Sequence, residues 1–356
     1  MRIGLIGAGR IGAFHAATLA AHPGVGELLV ADAEAARARQ VALRAGARAL
    51  PVDALFAARP DALVITSATA AHAGLITRAA HAGIPAFCEK PVALDLTGTV
   101  AALAEVTAAG AVLQVGFQRR FDAGYAAARA AVAAGRLGRL HTVRTVSSDA
   151  APPPAGYVPL SGGLYRDCLI HDFDILRWVT GREVTEVYAA GENVGADFFR
   201  AAGDADTAAV LLTLEGGLLA TATATRYHAA GYDVRMELAG TDDQIAVGVT
   251  ARAPLTSVEP GAAGGPRDPW TGFLERFGSA YRAEMDAFLR VARGAAANPC
   301  EGREALRALL VAEACEISRR ERRPVRIAEV AAAARAVEAV EAGGAAGTAG
   351  AEGAVA

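Results

Sequence analysis

The chain opens on a short, almost wholly apolar run, residues 2–7 (RIGLIG), and then changes period. From GAGRIGAFHAATLAAH onward the apolar residues recur at helical spacing, so strand, glycine turn and helix follow in order. The same alternation returns with ELLVAD (27–32) and a helix near 33–45, and with DALVIT (61–66) and a helix near 70–82. It continues with PAFCEK (85–90), a helix near 95–109, and VLQVGF (112–117). Apolar strands separated by helices predict right-handed crossovers and a parallel sheet covered on both faces.

After about residue 120 the pattern changes. A helix near 122–135 leads to LHTVRTVSSD, to a Pro/Gly-rich loop (APPPAGYVPLSGG), and to a helical segment starting near Leu164. Between 184 and 250 come strand-like runs divided by glycine turns with no helices between them, as expected of a mostly antiparallel open sheet with one covered face. Helices follow near 271–293 and 302–319. The predicted fold class is α/β: an N-terminal Rossmann dinucleotide-binding domain over 1–120 and a C-terminal α+β domain over 121–330. Residues 331–356, mostly Ala, Gly and Glu without an aromatic, are expected to fray and become disordered.

Gly7, Gly9 and Gly12 stand in GxGxxG spacing directly after a strand, at the opening of a helix. Such glycines allow a tight turn, close approach of backbone to a pyrophosphate, and close helix–strand packing. Asp32 ends the second strand 20 residues beyond Gly12, where a carboxylate can accept from adenosine ribose hydroxyls and repel a 2′-phosphate. NAD is therefore the expected cofactor, with Arg37 and Arg39 as side chains that could fold back; a plain helix cap is the other role open to Asp32. Arg10 and Ile11 inside the glycine loop, Thr66 and Ser67 after the third strand, and Glu89 are placed with the cofactor. His72, beyond the strand ALVIT, either lines the nicotinamide pocket or starts a helix in solvent.

Composition narrows the partners. The net charge of −3 gives no bulk attraction to nucleic acid or membrane surface, and no charge-free apolar run of spanning length occurs, so a cytoplasmic enzyme acting on a small molecule is expected. Cys88, Cys168, Cys300 and Cys315 lack CxxC spacing and read as reduced packed thiols. The basic residues number 35, and Lys90 in FCEKPVALD is the only lysine. A composition that uses arginine wherever charge suffices marks Lys90 as a candidate for chemistry, with chance as the alternative.

The second concentration of chemistry is SGGLYRDCLIHDFDILRW (161–178). Asp167, His171 and Asp174 are spaced i, i+4, i+7, which puts them on one face of a regular helix. Oxidation of a carbinol needs a base for the hydroxyl proton, and a histidine beside a carboxylate suits neutral pH. A metal site built on the same three residues and a merely solvated stripe are the other readings; no metal is expected.

Taken in order, GAGRIG, EKP (89–91), GFQRRFD (116–122) and the GG…D…HD.D..RW helix resemble the Gfo/Idh/MocA oxidoreductases over about residues 1–325, with the inositol 2-dehydrogenases as the nearest group. The resemblance implies a catalytic set of Lys90, Asp167 and His171, and substrate contacts from Asp174, Tyr232 and Tyr281 as well. In these roles a slim ammonium at Lys90 would hold a substrate hydroxyl where a planar guanidinium would crowd the hydride path, while Asp167 would orient His171 as base. Where such dehydrogenases commonly present His or Asn at the start of the second domain, this chain has SSDAAPPP, with Ser148 or Asp149 nearest. The expected reaction is NAD-dependent oxidation of a cyclitol, myo-inositol to its 2-keto product, in a homodimer or homotetramer. Another cyclitol or pyranose, a glycosidase that recycles NAD in place, and a non-catalytic dinucleotide sensor are the alternatives.

Overall fold

A computed structural model describes residues 1–262 and 264–333. Six parallel strands form the first sheet: β1 (Arg2–Ile6), β2 (Glu27–Ala31), β3 (Arg48–Ala49), β4 (Ala62–Ile65), β5 (Ala86–Glu89) and β6 (Leu113–Gly116), in the order β3-β2-β1-β4-β5-β6. The crossovers are α1 (Arg10–Ala20), α2 (Ala35–Ala45), α3 (Val52–Ala57), α4 (His72–His81) and α5 (Leu96–Ala108). Side chains alternate across the sheet, as a period of two requires. Ile3, Leu5, Val30 and Val64 enter the core on one face; Ile6, Leu29, Leu63 and Ile65 enter that on the other. The order reverses between β1 and β4, which opens a crevice at the carboxyl ends of the strands.

The second sheet has seven strands: β7 (Leu140–Ser148), β8 (Val184–Glu192), β9 (Thr207–Leu214), β10 (Leu219–Thr225), β11 (Asp233–Gly240), β12 (Gln244–Val247) and β13 (Val325–Arg326). Their order is β12-β11-β7-β10-β9-β8-β13, antiparallel throughout except that β10 runs parallel to β7. The helices of this half are α6 (Ala123–Ala133), α7 (Ile170–Thr180), the short α8 (Asp197–Ala201), α9 (Phe273–Ala292) and α10 (Gly302–Glu321). Helix α8 interrupts a stretch expected to hold strands alone. The covered face packs Val143, Val210, Leu212, Ala222 and Met236 against Phe173, Leu176 and Val311. The other face leaves Tyr188, Leu211 and Leu219 exposed.

The second half of the chain also returns to the first. Met285, Phe288 and Leu289 of α9 complete the core beside Ile3 and Leu5, while Cys300, Ala305 and Leu309 complete the one beside Ile6. Asp122 caps α6 through the Gly124 amide (3.0 Å) and binds Arg276 of α9 (2.8 Å), so the junction between the sheets is tied at both ends. Of the tail expected to be disordered, residues 331–333 extend a helix begun at 327; the rest lies outside the described residues.

Candidate functional site

The glycine loop follows β1 directly. Gly7 has φ +106°, and a Cβ there would stand 2.3 Å from the Ser67 amide nitrogen; a Cβ on Gly12 would stand 1.9 Å from the Gly7 carbonyl oxygen. A Cβ on Gly9 meets nothing within 4 Å, so the open side of the turn lies there. Gly9 is also the N-cap of α1, and no side chain caps that helix, which leaves its first amides free for an anion. Thr66 braces the loop from beneath, donating to the Gly7 carbonyl (2.6 Å). Asp32 accepts from the Ala8 amide (2.7 Å) at Oδ2 and the Glu34 amide (2.8 Å) at Oδ1, so the carboxylate is fixed beside the turn and Oδ2 keeps a lone pair for a ribose hydroxyl. Arg37 does fold back, onto Glu34 (2.5 Å) and Asp32 (3.5 Å). Arg10 stacks over Phe273, and Ile11 packs into the second core. Gly9, the bare helix start and Asp32 together fit a dinucleotide of the NAD type.

At the end of β5, Lys90 reaches across to Asp167. Its ammonium donates to the Asp167 carbonyl (2.7 Å) and to Oδ1 (3.1 Å). Asp167 lies in a π-helical turn, Tyr165–Leu169, ahead of α7. Of three ammonium hydrogens two are taken, leaving one for a ligand. The same carboxylate accepts from the Tyr157 hydroxyl (3.0 Å) at Oδ1 and from Arg226 (2.7 Å) at Oδ2. Although burial opposes its charge, Lys90 and Arg226 hold the Asp167 carboxyl far below the usual carboxylate range, so it stays ionised and moves no proton.

Asp167 was expected to orient His171, and the structure corrects this. Four-residue alignment belongs to a regular α-helix, and the π turn rotates Asp167 away from it toward Lys90 and Arg226. No hydrogen bond joins Asp167 to His171 among the described residues. The His171 ring instead meets the edge of Phe117 (5.9 Å between centroids), and its Nδ1 is buried without a partner. Burial first, then the charges of Lys90 and Arg119, push the imidazole well below 6.5 against the opposing pull of Asp167. His171 is therefore held as a neutral ring beside an ionised pair.

Two further candidates hold partners within the protein. Asp174 is fully buried, and Arg120 takes both its oxygens (2.8 and 2.5 Å) in a planar fork. His72 does not line a pocket, because both ring nitrogens lie on backbone carbonyls, of Pro91 (2.7 Å) and Ser67 (3.0 Å). It ties the loop after β4 to the one carrying Lys90. Ser67 holds its place in that loop, its hydroxyl on the Ala68 carbonyl.

Tyr232 and Tyr281 are both pushed up by burial and remain neutral hydroxyls. Arg119, Asp149 and Asp172 are the charges nearest Tyr232, whereas the Tyr281 ring packs edge-on against Phe14, His15 and Phe273. Glu89 turns inward, its Oε1 accepting from His15 Nε2 (2.9 Å). His15, Glu89 and Glu284 bring one polar atom each within 4.8 Å of one another, and burial, with the nearby Glu89 charge, pushes the Glu284 carboxyl well above the usual carboxylate range.

The sequence reading missed the partners of Asp167. Arg226 follows β10, whose alanines Ala220, Ala222 and Ala224 face the core; continuing the alternation puts residue 226 on the covered side. A charge at a core-facing position was the available signal. Tyr157 had none, since its position depends on the path of the loop. Arg119, in GFQRRFD, binds Asp172 (2.9 Å) and Ser147 (2.9 Å) beneath the site, a pairing that likewise required the fold.

Residues 1–117 match the family described as "Oxidoreductase family, NAD-binding Rossmann fold", and residues 125–246 match "GFO/IDH/MocA C-terminal domain". The chain is 40% identical over 321 residues to the myo-inositol dehydrogenase Hyg17 of Streptomyces leeuwenhoekii, covering 88% of this chain and 96% of the relative. Among solved structures it resembles a myo-inositol dehydrogenase from Corynebacterium glutamicum (36% identity, 92% and 98% covered, TM-score 0.83). It also resembles a scyllo-inositol dehydrogenase from Lactobacillus casei with bound NAD(H) and scyllo-inositol (28% identity, 92% and 99% covered, TM-score 0.82).

Proposed function

Since the chain belongs to the Gfo/Idh/MocA family of NAD-dependent oxidoreductases, we propose that it oxidises a ring hydroxyl of a cyclitol, foremost the 2-hydroxyl of myo-inositol. The observation that carries this reading is the meeting of Lys90, with one ammonium hydrogen free, and a neutral His171 beside an Asp167 that stays charged. His171 takes the hydroxyl proton as the carbon–hydrogen bond breaks, and the ring carbon becomes a ketone. Lys90 donates its free hydrogen to that oxygen as negative charge develops on it. Bound NAD supplies the acceptor for the hydride. We assign the choice among ring hydroxyls to Tyr232 and Asp149, which flank the ends of β11 and β7. The two kinds of relative, acting on myo- and scyllo-inositol, support the cyclitol class and leave the isomer to Asp149, where the chain departs from the usual His or Asn.

The test is NADH formation, followed by its absorbance, over a panel of myo-inositol, scyllo-inositol, other cyclitols and pyranoses with NAD and with NADP. Oxidation of myo-inositol with NAD is expected to lead. Cleavage of an aryl glycoside without net NADH, or NAD binding with no turnover of any polyol, refutes the reading.

We also propose a homodimer or homotetramer that covers the outer face of the second sheet, where Tyr188, Leu211 and Leu219 are exposed side by side on neighbouring strands. No described helix is long and apolar enough to cross a membrane. A cytoplasmic setting is part of the proposal and accords with four free cysteines, three of them buried.

A further inference from the structure

Building on the reading above, we propose that Arg226 is a positioning residue for the reaction. Its guanidinium bridges Asp149 and Asp167, and so holds Asp167 for Lys90 while keeping one Lys90 hydrogen free for substrate.

The bridge is built from two strand ends. Strands β10 and β7 run side by side with Thr225 opposite Ser148, so the next residues, Arg226 and Asp149, emerge together. Both are fixed through their backbones: the Asp149 amide donates to the Thr225 carbonyl (2.9 Å) and the Arg226 amide to the Asp206 carbonyl (2.8 Å). From there one arm of the guanidinium meets Asp149 Oδ2 (2.9 Å) and the other Asp167 Oδ2 (2.7 Å). The Arg226 side chain is 5% exposed, and its Nε is buried without a partner. A buried cation that leaves one donor unsatisfied is held for its other contacts.

The charges explain what the bridge does. Lys90 and Arg226 face Asp149 and Asp167, two cations against two anions, with Tyr157, Cys168, Tyr232 and a neutral His171 around them and Arg119 beyond. Without Arg226 the two carboxylates would have a single ammonium between them. Lys90 would be drawn onto both, its free hydrogen would be spent, and uncompensated negative charge would favour the imidazolium form of His171. Asp167 Oδ1 already serves Lys90 and Tyr157, so Arg226 is the contact that occupies Oδ2 and sets the plane of the carboxylate.

The test compares wild type with Arg226→Gln and with the double variant Arg226→Gln/Asp149→Asn, which removes the stranded acid. For Arg226→Gln we expect kcat to fall ~100-fold, the acid limb of the kcat/KM profile to move to higher pH, and NAD affinity to stay within about threefold. The double variant should recover ~10-fold of the loss. Because Lys90 is the only lysine, its rate of reductive methylation, followed by mass spectrometry, reads the same contact without turnover. That rate should drop in Arg226→Gln and return in the double variant, whatever the substrate proves to be. Wild-type methylation rate and pH profile in Arg226→Gln overturn the proposal, as does a double variant that recovers neither. Should Arg226→Gln fail to bind NAD, Arg226→Lys carries the test, since a point charge cannot hold both carboxylates in one plane; unaltered kcat and pH profile there also overturn it.

Discussion

Lys90 is joined to Asp167 twice, through the carboxylate and through the main-chain carbonyl of the same residue, across 77 positions of sequence. Both acceptors sit on a π-helical turn, Tyr165–Leu169, ahead of α7. An ammonium can make both and still point a third hydrogen elsewhere. A guanidinium holds its donors in one plane and cannot.

Lys90→Arg should therefore bind NAD with affinity close to wild type and lose turnover, with kcat down ~10²–10³-fold. Steady-state kinetics beside a titration of NAD by fluorescence checks this. Near-wild-type kcat would exclude the donor geometry assigned to Lys90.

The neutral state of His171 sets the pH dependence. Its folded-state pKa is lowered well below 6.5, so the base remains competent as pH falls through 6.5, and the acid limb of kcat/KM belongs below that value. The linked stability has the same sign: in the unfolded chain the ring binds a proton near 6.5, in the folded chain it does not, so stability is lost as pH falls below 6.5. His171→Ala should abolish turnover, retain NAD, and remove that part of the stability loss in thermal melts taken between pH 7 and pH 5. An acid limb above 6.5 would contradict the assignment.

The two glycines of the loop separate packing from binding. A Cβ at Gly12 would overlap the Gly7 carbonyl, whereas one at Gly9 meets no protein atom. Gly12→Ala should lower the melting temperature and Gly9→Ala should leave it unchanged, yet Gly9→Ala should weaken NAD binding ~10-fold or more because the methyl enters the space for the pyrophosphate. Calorimetric melts and NAD titrations of the two variants distinguish the effects. Equal affinity in Gly9→Ala and wild type would put the pyrophosphate elsewhere.

Leu211 lies near the middle of the open face of the second sheet, half exposed, on a strand flanked by β8 and β10. Leu211→Arg should leave the monomer fold intact and shift the assembly to smaller species in light-scattering chromatography. An unchanged molar mass would place the interface on another surface.

The sequence by itself determined what short-range periodicity and residue chemistry can carry. The run RIGLIG followed by GxGxxG specifies strand, turn and helix start because Gly7 takes a positive φ and a Cβ at Gly12 would overlap the Gly7 carbonyl, and those constraints are local. Asp32 at the end of the second strand and Lys90 at the end of the fourth predicted strand were legible for the same reason: the pattern locates strand ends, and strand ends locate the crevice. Pairings were not legible, because they depend on which strand ends lie side by side. Spacing put Asp167, His171 and Asp174 on one helix face, and the resemblance paired Asp167 with His171 and gave Asp174 to substrate. The folded chain gives Asp167 to Lys90, Arg226 and Tyr157, and gives Asp174 to Arg120, 54 positions away. A two-residue repeat says which face a side chain takes, but the parallel alignment of β10 with β7 and the π turn before α7 decide which charges meet there. Charged groups buried together must be paired, and only the tertiary structure selects the partners.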